Sequence, residues 1–400
     1  MKYIVVLGDG MADEPIESLD GKTPLEYAET PAMDKLAKMS EIGLAHTIPA
    51  GMKPGSDTAN LAVLGYNPKQ YYTGRSPLEA LSIGVPMKAT DIAIRCNLVT
   101  VSGDGLPYEK KTILDHSSGE ISTKDAAVLL EAVKKELQNE MFKYYVGTSY
   151  RHLLIWDHGK VAELTPPHDI LGKVVGQYLP EETLLKDMME KSYSILNHHR
   201  INEERAKKGL NKANSVWFWG AGTRPALASF EEKTGMKGAM ISAVDLLKGI
   251  AVGASMKVIE VEGADGTLHT NYEGKAVAAV NALLNDGMDF VYIHVEAPDE
   301  MGHQGNVPNK LQSIEFLDSR LIRIVKEKMD ASGEAYRMLI MPDHPTPIRL
   351  RTHTANPVPY LLYDSTMPQK HDWRYNEREA AQSGNETMDG YKLIDRLFIR

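Results

Sequence analysis

Apolar residues fall along this chain in two kinds of run. Three short stretches are dominated by apolar residues, many of them β-branched or aromatic, and the first is unbroken: Tyr3 to Leu7 in KYIVVLGDG, Asp289 to Val295 (DFVYIHV) and Tyr336 to Met341 (YRMLIM). With no polar position in alternation, they predict strands buried on both faces of a parallel sheet. Tyr272 to Asn285 and Lys310 to Met329 instead place apolar residues at spacings of three and four, which predicts helices with one buried face. Strand alternating with helix predicts an α/β fold, a mainly parallel sheet between helices.

The middle of the chain has a different rhythm. A helix is expected at Thr123 to Leu137, short strands around Tyr144 to Gly147 and His152 to Trp156, and turns at Thr165, Pro166 and Pro167. This predicts a smaller α+β domain, residues 106–180, inserted into a discontinuous core of 1–105 and 181–400. A long polar helix from Glu181 to about Lys208 is expected to return the chain to the core. SVWFW (Ser215 to Trp219) is expected to resume the sheet, and Asp364 to Thr387 to form a surface loop.

Composition narrows the chemistry. Hydrophobic residues at 42% and charged residues at 25% suit a folded enzyme, and a net charge of −9 excludes a generally basic nucleic-acid surface. An anionic substrate would therefore need a local cluster of cations or a metal. Cys96 is the only cysteine, which excludes an internal disulfide and a cysteine zinc site. Any metal must be held by His, Asp, Glu or hydroxyl oxygen. The first apolar run meets Gly8 and Asp9 too soon for a secretory segment, and no run approaches the ~18 apolar residues of a membrane span. A cytoplasmic protein with no membrane or nucleic-acid partner is the expectation.

Ligands of open parallel sheets lie beyond the carboxyl ends of the strands. All three predicted strands end in candidate ligands there: Asp9; Asp299 with His303 in PDEMGH; Asp343 with His344 in PDHPTP. Asp299 and His303 are four apart, on one side of a helical turn. His353 follows in RTHT. Carboxylate and imidazole suit manganese, zinc and related divalent ions. Each residue has a plainer reading, Asp9 as a turn former and a lone His as a packed side chain, but their coincidence on one rim favours a metal site. A nucleophile candidate, Ser56, stands in PGSDTANLAVLGY before a helix expected from Asp57 to Leu64. There its hydroxyl is either a helix cap or, beside a metal, a group that can attack phosphorus.

Taken in order, Asp9, Ser56, Asp299, His303, Asp343, His344 and His353 resemble the alkaline phosphatase superfamily, and within it the cofactor-independent phosphoglycerate mutases of the shorter, archaeal type. The resemblance implies an alkaline-phosphatase-like core and two divalent ions, one held by Asp9, Ser56, Asp343 and His344, the other by Asp299, His303 and His353. Manganese is expected first, with zinc, cobalt or magnesium as alternatives. It also implies a small phosphorylated hydroxy acid as substrate: 3-phosphoglycerate and 2-phosphoglycerate interconvert through phosphoserine at Ser56, without a bisphosphoglycerate primer. The inserted domain would cover the substrate. Arg95, Asn97, Arg151, His152, His168, Asp169 and Arg224 are the candidate clamps, Arg151 foremost, and Lys233 weakly resembles an active-site lysine of the longer mutases.

Three other readings compete. A phosphotransferase of homoserine-kinase type could use the same rim. No nucleotide cradle is visible, since the Gly21-Lys22-Thr23 triplet has Ile16 where a P-loop needs its first glycine and GAGTRP lacks a third glycine. A phosphomonoesterase would let water take the phosphoryl group; a sulfatase is disfavoured because Asp57, Thr58 and Ala59 follow Ser56. A metal-stabilised binding protein would use Ser56 only as a helix cap.

Overall fold

The computed structural model describes residues 1–398. In chain order the strands are β1 (Lys2–Gly8), β2 (Glu41–Ala45), β3 (Ile92–Val101), β4 (Ile113–Asp115), β5 (Phe142–Tyr145), β6 (Arg151–Trp156), β7 (Ser215–Thr223), β8 (Gly238–Ile241), β9 (Lys257–Val258), β10 (Phe290–Val295), β11 (Tyr336–Met341), β12 (Val358–Asp364) and β13 (Glu386–Thr387). They belong to two compact units, one of Met1–Tyr72 with Ala226–Arg400, the other of Thr73–Pro225.

Among the described residues, the first unit holds an eight-stranded sheet in the order β13-β2-β12-β11-β1-β10-β8-β9. The three apolar runs are its centre: β1 pairs in parallel with β10 on one side and β11 on the other. Both faces are covered. Ile4, Val6, Val291, Ile293, Met338 and Ile340 share one apolar cluster with Ala276 and Leu283 of the helix Tyr272–Leu284. Register places Gly8 opposite Val295 and Leu7 opposite Met341, so the residues that follow all three strands emerge on one edge. Beyond β11 the sheet turns antiparallel through β12.

The second unit is built on an antiparallel sheet, β4-β3-β6-β5, with β7 paired to β3. Its limits differ from the expected 106 and 180, both of which fall inside it. SVWFW is the start of β7 and belongs here rather than to the core sheet, because an apolar run specifies a buried strand but not the sheet it joins. The expected long helix is two, Thr183–Leu196 and Arg200–Lys207, parted where the His199 ring accepts from Ile201 N at 3.3 Å and starts the second.

Two further expectations are corrected. The stretch expected as a loop from Asp364 contains the helix Glu377–Gln382, capped by Asn376, and the strand β13. The helix expected over 310–329 is interrupted by a π turn, Asp318–Ile322, between Val307–Leu317 and Arg323–Ser332. At that turn the buried Asp318 carboxylate accepts from Ala32 N (3.1 Å) and Met33 N (2.7 Å), capping the helix Pro31–Ala37 from a distant part of the chain. No helix among the described residues is long and apolar enough to cross a membrane.

Candidate functional site

The shared edge of β1, β10 and β11 collects the predicted ligands. Asp9 directly follows β1, Asp299 and His303 lie on the helix Ala297–Gln304 after β10, and Asp343 and His344 follow β11. Pro298 at the start of that helix and Pro342 after β11 end each strand promptly. Only glycine fits at position 10: its φ is +58°, and a Cβ there would lie 2.5 Å from both Asp299 Oδ1 and Thr346 Oγ1. The first loop is thereby pressed against the other two.

Two ligand groups result. Asp9, Asp343 and His344 form one, with all ligand atoms within 4.8 Å of one another; Asp299, His344 and His353 form the other. His344 therefore stands between them, with Nε2 3.5 Å from Asp9 Oδ1 and 3.4 Å from Asp343 Oδ2. His303 Nε2 is 3.1 Å from Asp299 Oδ2 and 3.0 Å from His353 Nε2. The Ser56 hydroxyl lies 3.1 Å from His344 Nε2. Ser56 is the first residue of its helix, Ser56–Val63; Gly55 occupies the cap position, so the serine side chain is not a helix cap.

The electrostatics suit a cation. Burial, then the carboxylates of Asp343, Asp299 and Glu296, push the Asp9 pKa well above its usual value. Asp9 Oδ1 is buried and accepts no hydrogen bond. A buried carboxylate oxygen left without a donor is costly, and here it faces the cluster of candidate ligands. Asp343 is differently served: Oδ1 accepts from Gly10 N (3.1 Å) and His344 N (2.8 Å), and Oδ2 from Asn60 Nδ2 (2.8 Å).

Four residues around this cluster have no counterpart in the sequence reading. Asn60 also donates to Ser56 O (2.8 Å) and accepts from Tyr292 OH (2.6 Å), so one side-chain amide joins the serine helix to the Asp343 loop. His294, on β10, contacts Asp9 Oδ2 at 2.8 Å. Lys310, fully buried, donates to Asp13 Oδ2 (2.8 Å) and Thr346 O (2.9 Å), tying the chain after Asp9 to the chain after His344. The one available signal was spacing: Asn60 is four residues from Ser56 on one helix face, and Tyr292 and His294 are two apart on one strand face.

The second unit gathers most of the expected clamps by itself. On β3, Arg95 and Asn97 share the face opposite to Ile94, Cys96 and Leu98, which are core; Arg151 on β6 pairs with Asn97. The Arg95 guanidinium lies 4.5 Å from the Trp219 ring centre and 3.1 Å from Glu79 Oε2, and burial lowers its pKa to about 10. His168 stacks edge-on to Trp219 at 5.3 Å, with Asp169 3.6 Å from its ring. Asn97 accepts from Trp219 Nε1 (3.1 Å). Arg224 is exposed at the end of the unit.

His152 and Lys233 are corrections. His152 pairs with Cys96, so strand alternation turns it to the apolar face, away from Arg95, Asn97 and Arg151. Lys233 stands over the Tyr66 ring at 5.3 Å and beside Gly65, beyond the C-terminal end of the serine helix. Eight helical residues put it roughly 12 Å from Ser56 along the axis.

Burial holds His152 neutral, with its pKa pulled down to about 4, and its Nδ1 accepts from Gly147 N at 3.1 Å. An unfolded histidine titrates near ~6.5, so the unfolded chain binds more protons between the two values, and stability falls as pH drops through that window. We expect this group alone to cost the unit about 2–3 kcal/mol on going from roughly pH 7 to pH 4.5. Denaturant melts of wild type and His152→Gln at the two pH values measure it; equal acid losses in both would refute the assignment.

Comparison with known proteins agrees over the whole length. A family model described as 2,3-bisphosphoglycerate-independent phosphoglycerate mutase matches residues 37–202. The chain is 48% identical over 390 residues to the 2,3-bisphosphoglycerate-independent phosphoglycerate mutase of Methanosarcina barkeri, covering 96% of each. It is 46% identical over 407 residues to a probable 2,3-bisphosphoglycerate-independent phosphoglycerate mutase of Geobacter sulfurreducens, covering 100% of each. Among solved structures, a protein from Pyrococcus horikoshii superposes with a TM-score of 0.80 at 30% identity, covering 99% of this chain and 96% of that one. A cofactor-independent phosphoglycerate mutase from Thermoplasma acidophilum superposes with a TM-score of 0.67 at 28% identity, covering 99% of both.

Proposed function

Since the chain belongs to the 2,3-bisphosphoglycerate-independent phosphoglycerate mutases, we propose that Ser56 is the group that carries phosphoryl between the two hydroxyls of bound glycerate. The observation that carries this role is the state of its hydroxyl. It has no capping duty and stands 3.1 Å from His344 Nε2, at the head of a helix whose free N–H groups favour an anion.

The transfer conserves bonds. Ser56 Oγ forms a bond to phosphorus as the bond from phosphorus to one glycerate oxygen breaks, and the serine proton ends on that oxygen. The glycerate turns, its other hydroxyl takes the phosphoryl group, and Ser56 regains its proton. Asp9, Asp343 and His344, with Asp299, His303 and His353, are the residues that would hold divalent ions, of which manganese suits the donor set. Bound there, such ions supply a lowered serine pKa and neutralisation of the phosphoryl oxygens. Arg95, Asn97, Arg151 and His168 are assigned to the substrate. An arginine fork matches a carboxylate or phosphate with two parallel hydrogen bonds, which keeps the glycerate in place between the two transfers.

Incubation with 3-phosphoglycerate and Mn²⁺, without bisphosphoglycerate or nucleotide, should yield 2-phosphoglycerate by ³¹P NMR. Inorganic phosphate as the main product would replace this reading with a phosphatase, and activity seen only with ATP and homoserine would replace it with a kinase.

A further inference from the structure

The metal reading leaves one contact unused. His294 lies in the middle of the site's floor, on β10, wholly buried, with Nε2 2.8 Å from Asp9 Oδ2 and Nδ1 3.1 Å from Ser242 Oγ. Ser242 follows β8, the neighbour of β10, and register sets it beside His294. As an ionised ligand Asp9 can only accept, so the His294 ring hydrogen sits on Nε2 and Nδ1 is left to accept from the Ser242 hydroxyl, whose own oxygen accepts from Val244 N at 3.0 Å. This tautomer is assigned from the network. Lys275 Nζ donates to the His294 carbonyl at 2.9 Å, fixing the strand at the same residue.

The two oxygens of Asp9 are thus unequal. Oδ2 is capped by a ring N–H, while Oδ1 is buried, has no donor, and lies 3.5 Å from His344 Nε2. From this asymmetry we infer that His294, set by Ser242, is a positioning residue that makes Asp9 a one-oxygen ligand by holding Oδ2 out of the coordination sphere. The inference rests on the metal reading above. Without the ring N–H, Asp9 would be free to rotate and to present both oxygens, and the ion it holds would lose a fixed partner. Outer hydrogen bonds of this kind affect metal affinity by about 10–100-fold.

The test is titration of the metal-free full-length protein with Mn²⁺ in a calorimeter, alongside its melting temperature without metal. His294→Leu should weaken one step of the isotherm by about 10–100-fold and leave the rest unchanged. His294→Gln, whose amide can still donate to Oδ2, should recover most of that loss. Ser242→Ala, which keeps the ring but frees its tautomer, should lose a few-fold. Wild-type affinity in His294→Leu overturns the inference, as does equal loss in every step or a Gln variant no better than Leu, which would mark a merely structural role. If His294→Leu does not fold, Ser242→Ala decides: unchanged affinity there overturns it. Failure of the wild type to bind Mn²⁺ at all is a different result, and removes the metal reading itself.

Discussion

Ser56→Ala should abolish the conversion of 3-phosphoglycerate while leaving the chain folded and able to bind divalent ions. The hydroxyl is one methyl-sized group on the surface of the ligand cluster, not a cap of its helix, so its loss costs little structure. What it removes is the only proposed acceptor in the first transfer, and the adjacent carboxylate, Asp57, is engaged by Tyr72 OH (2.7 Å) and by Thr58 N (2.8 Å). Nucleophile loss from a covalent mechanism costs on the order of 10⁴-fold or more. Turnover with 3-phosphoglycerate and calorimetric Mn²⁺ binding, measured on the same preparation, give the result. Residual activity within tenfold of wild type would remove Ser56 from the reaction, and activity lost together with folding would say nothing of chemistry, which is why a melting curve accompanies the assay.

Lys310→Met should strongly destabilise the first unit. Its ammonium is wholly buried and has three oxygens about it, Asp13 Oδ2, Thr346 O and, at 3.5 Å, Ala12 O. Asp13 in turn accepts from Glu14 N (2.7 Å) and from Ile348 N. Removing the cation leaves a buried carboxylate uncompensated, a change that costs about 3–5 kcal/mol. The break falls between the two loops that carry Asp9 and His344, so metal affinity should drop with stability. Denaturant unfolding of the metal-free variant reads the first effect, and a loss below about 1 kcal/mol would show that water or a neighbouring group takes over the carboxylate.

What could be read from residues alone followed from which physical signal was local. The three central strands are mostly apolar and are followed by acidic residues, so their burial, parallel pairing and common edge were all legible, and so was the α/β class. Asp9, Asp299 and Asp343 stand out only together: each alone reads as a turn former or cap, and it is their coincidence on one rim with histidines that points to a metal. His294 and Tyr292 were hidden by the same rule: in a strand buried on both faces, a side chain with one polar tip looks like another core position. Lys310 was lost in a helix whose charged residues normally face water. The limits of the second unit went unread because β3 and β7 are apolar runs like any others, and pairing partners lie far apart along the chain. His152 was misassigned for want of strand phase, since a one-residue step reverses the face a side chain occupies.

The central place of β1 sets a condition on assembly during synthesis. Its two partners, β10 and β11, are made roughly 280 residues or more after it. At ribosomal rates of about 5–20 residues per second, a five-residue apolar stretch with two open edges waits for tens of seconds, whereas Thr73–Pro225 is contiguous and can close its own contacts meanwhile. Chaperone dependence and off-pathway association of nascent chains should therefore concentrate on that first strand.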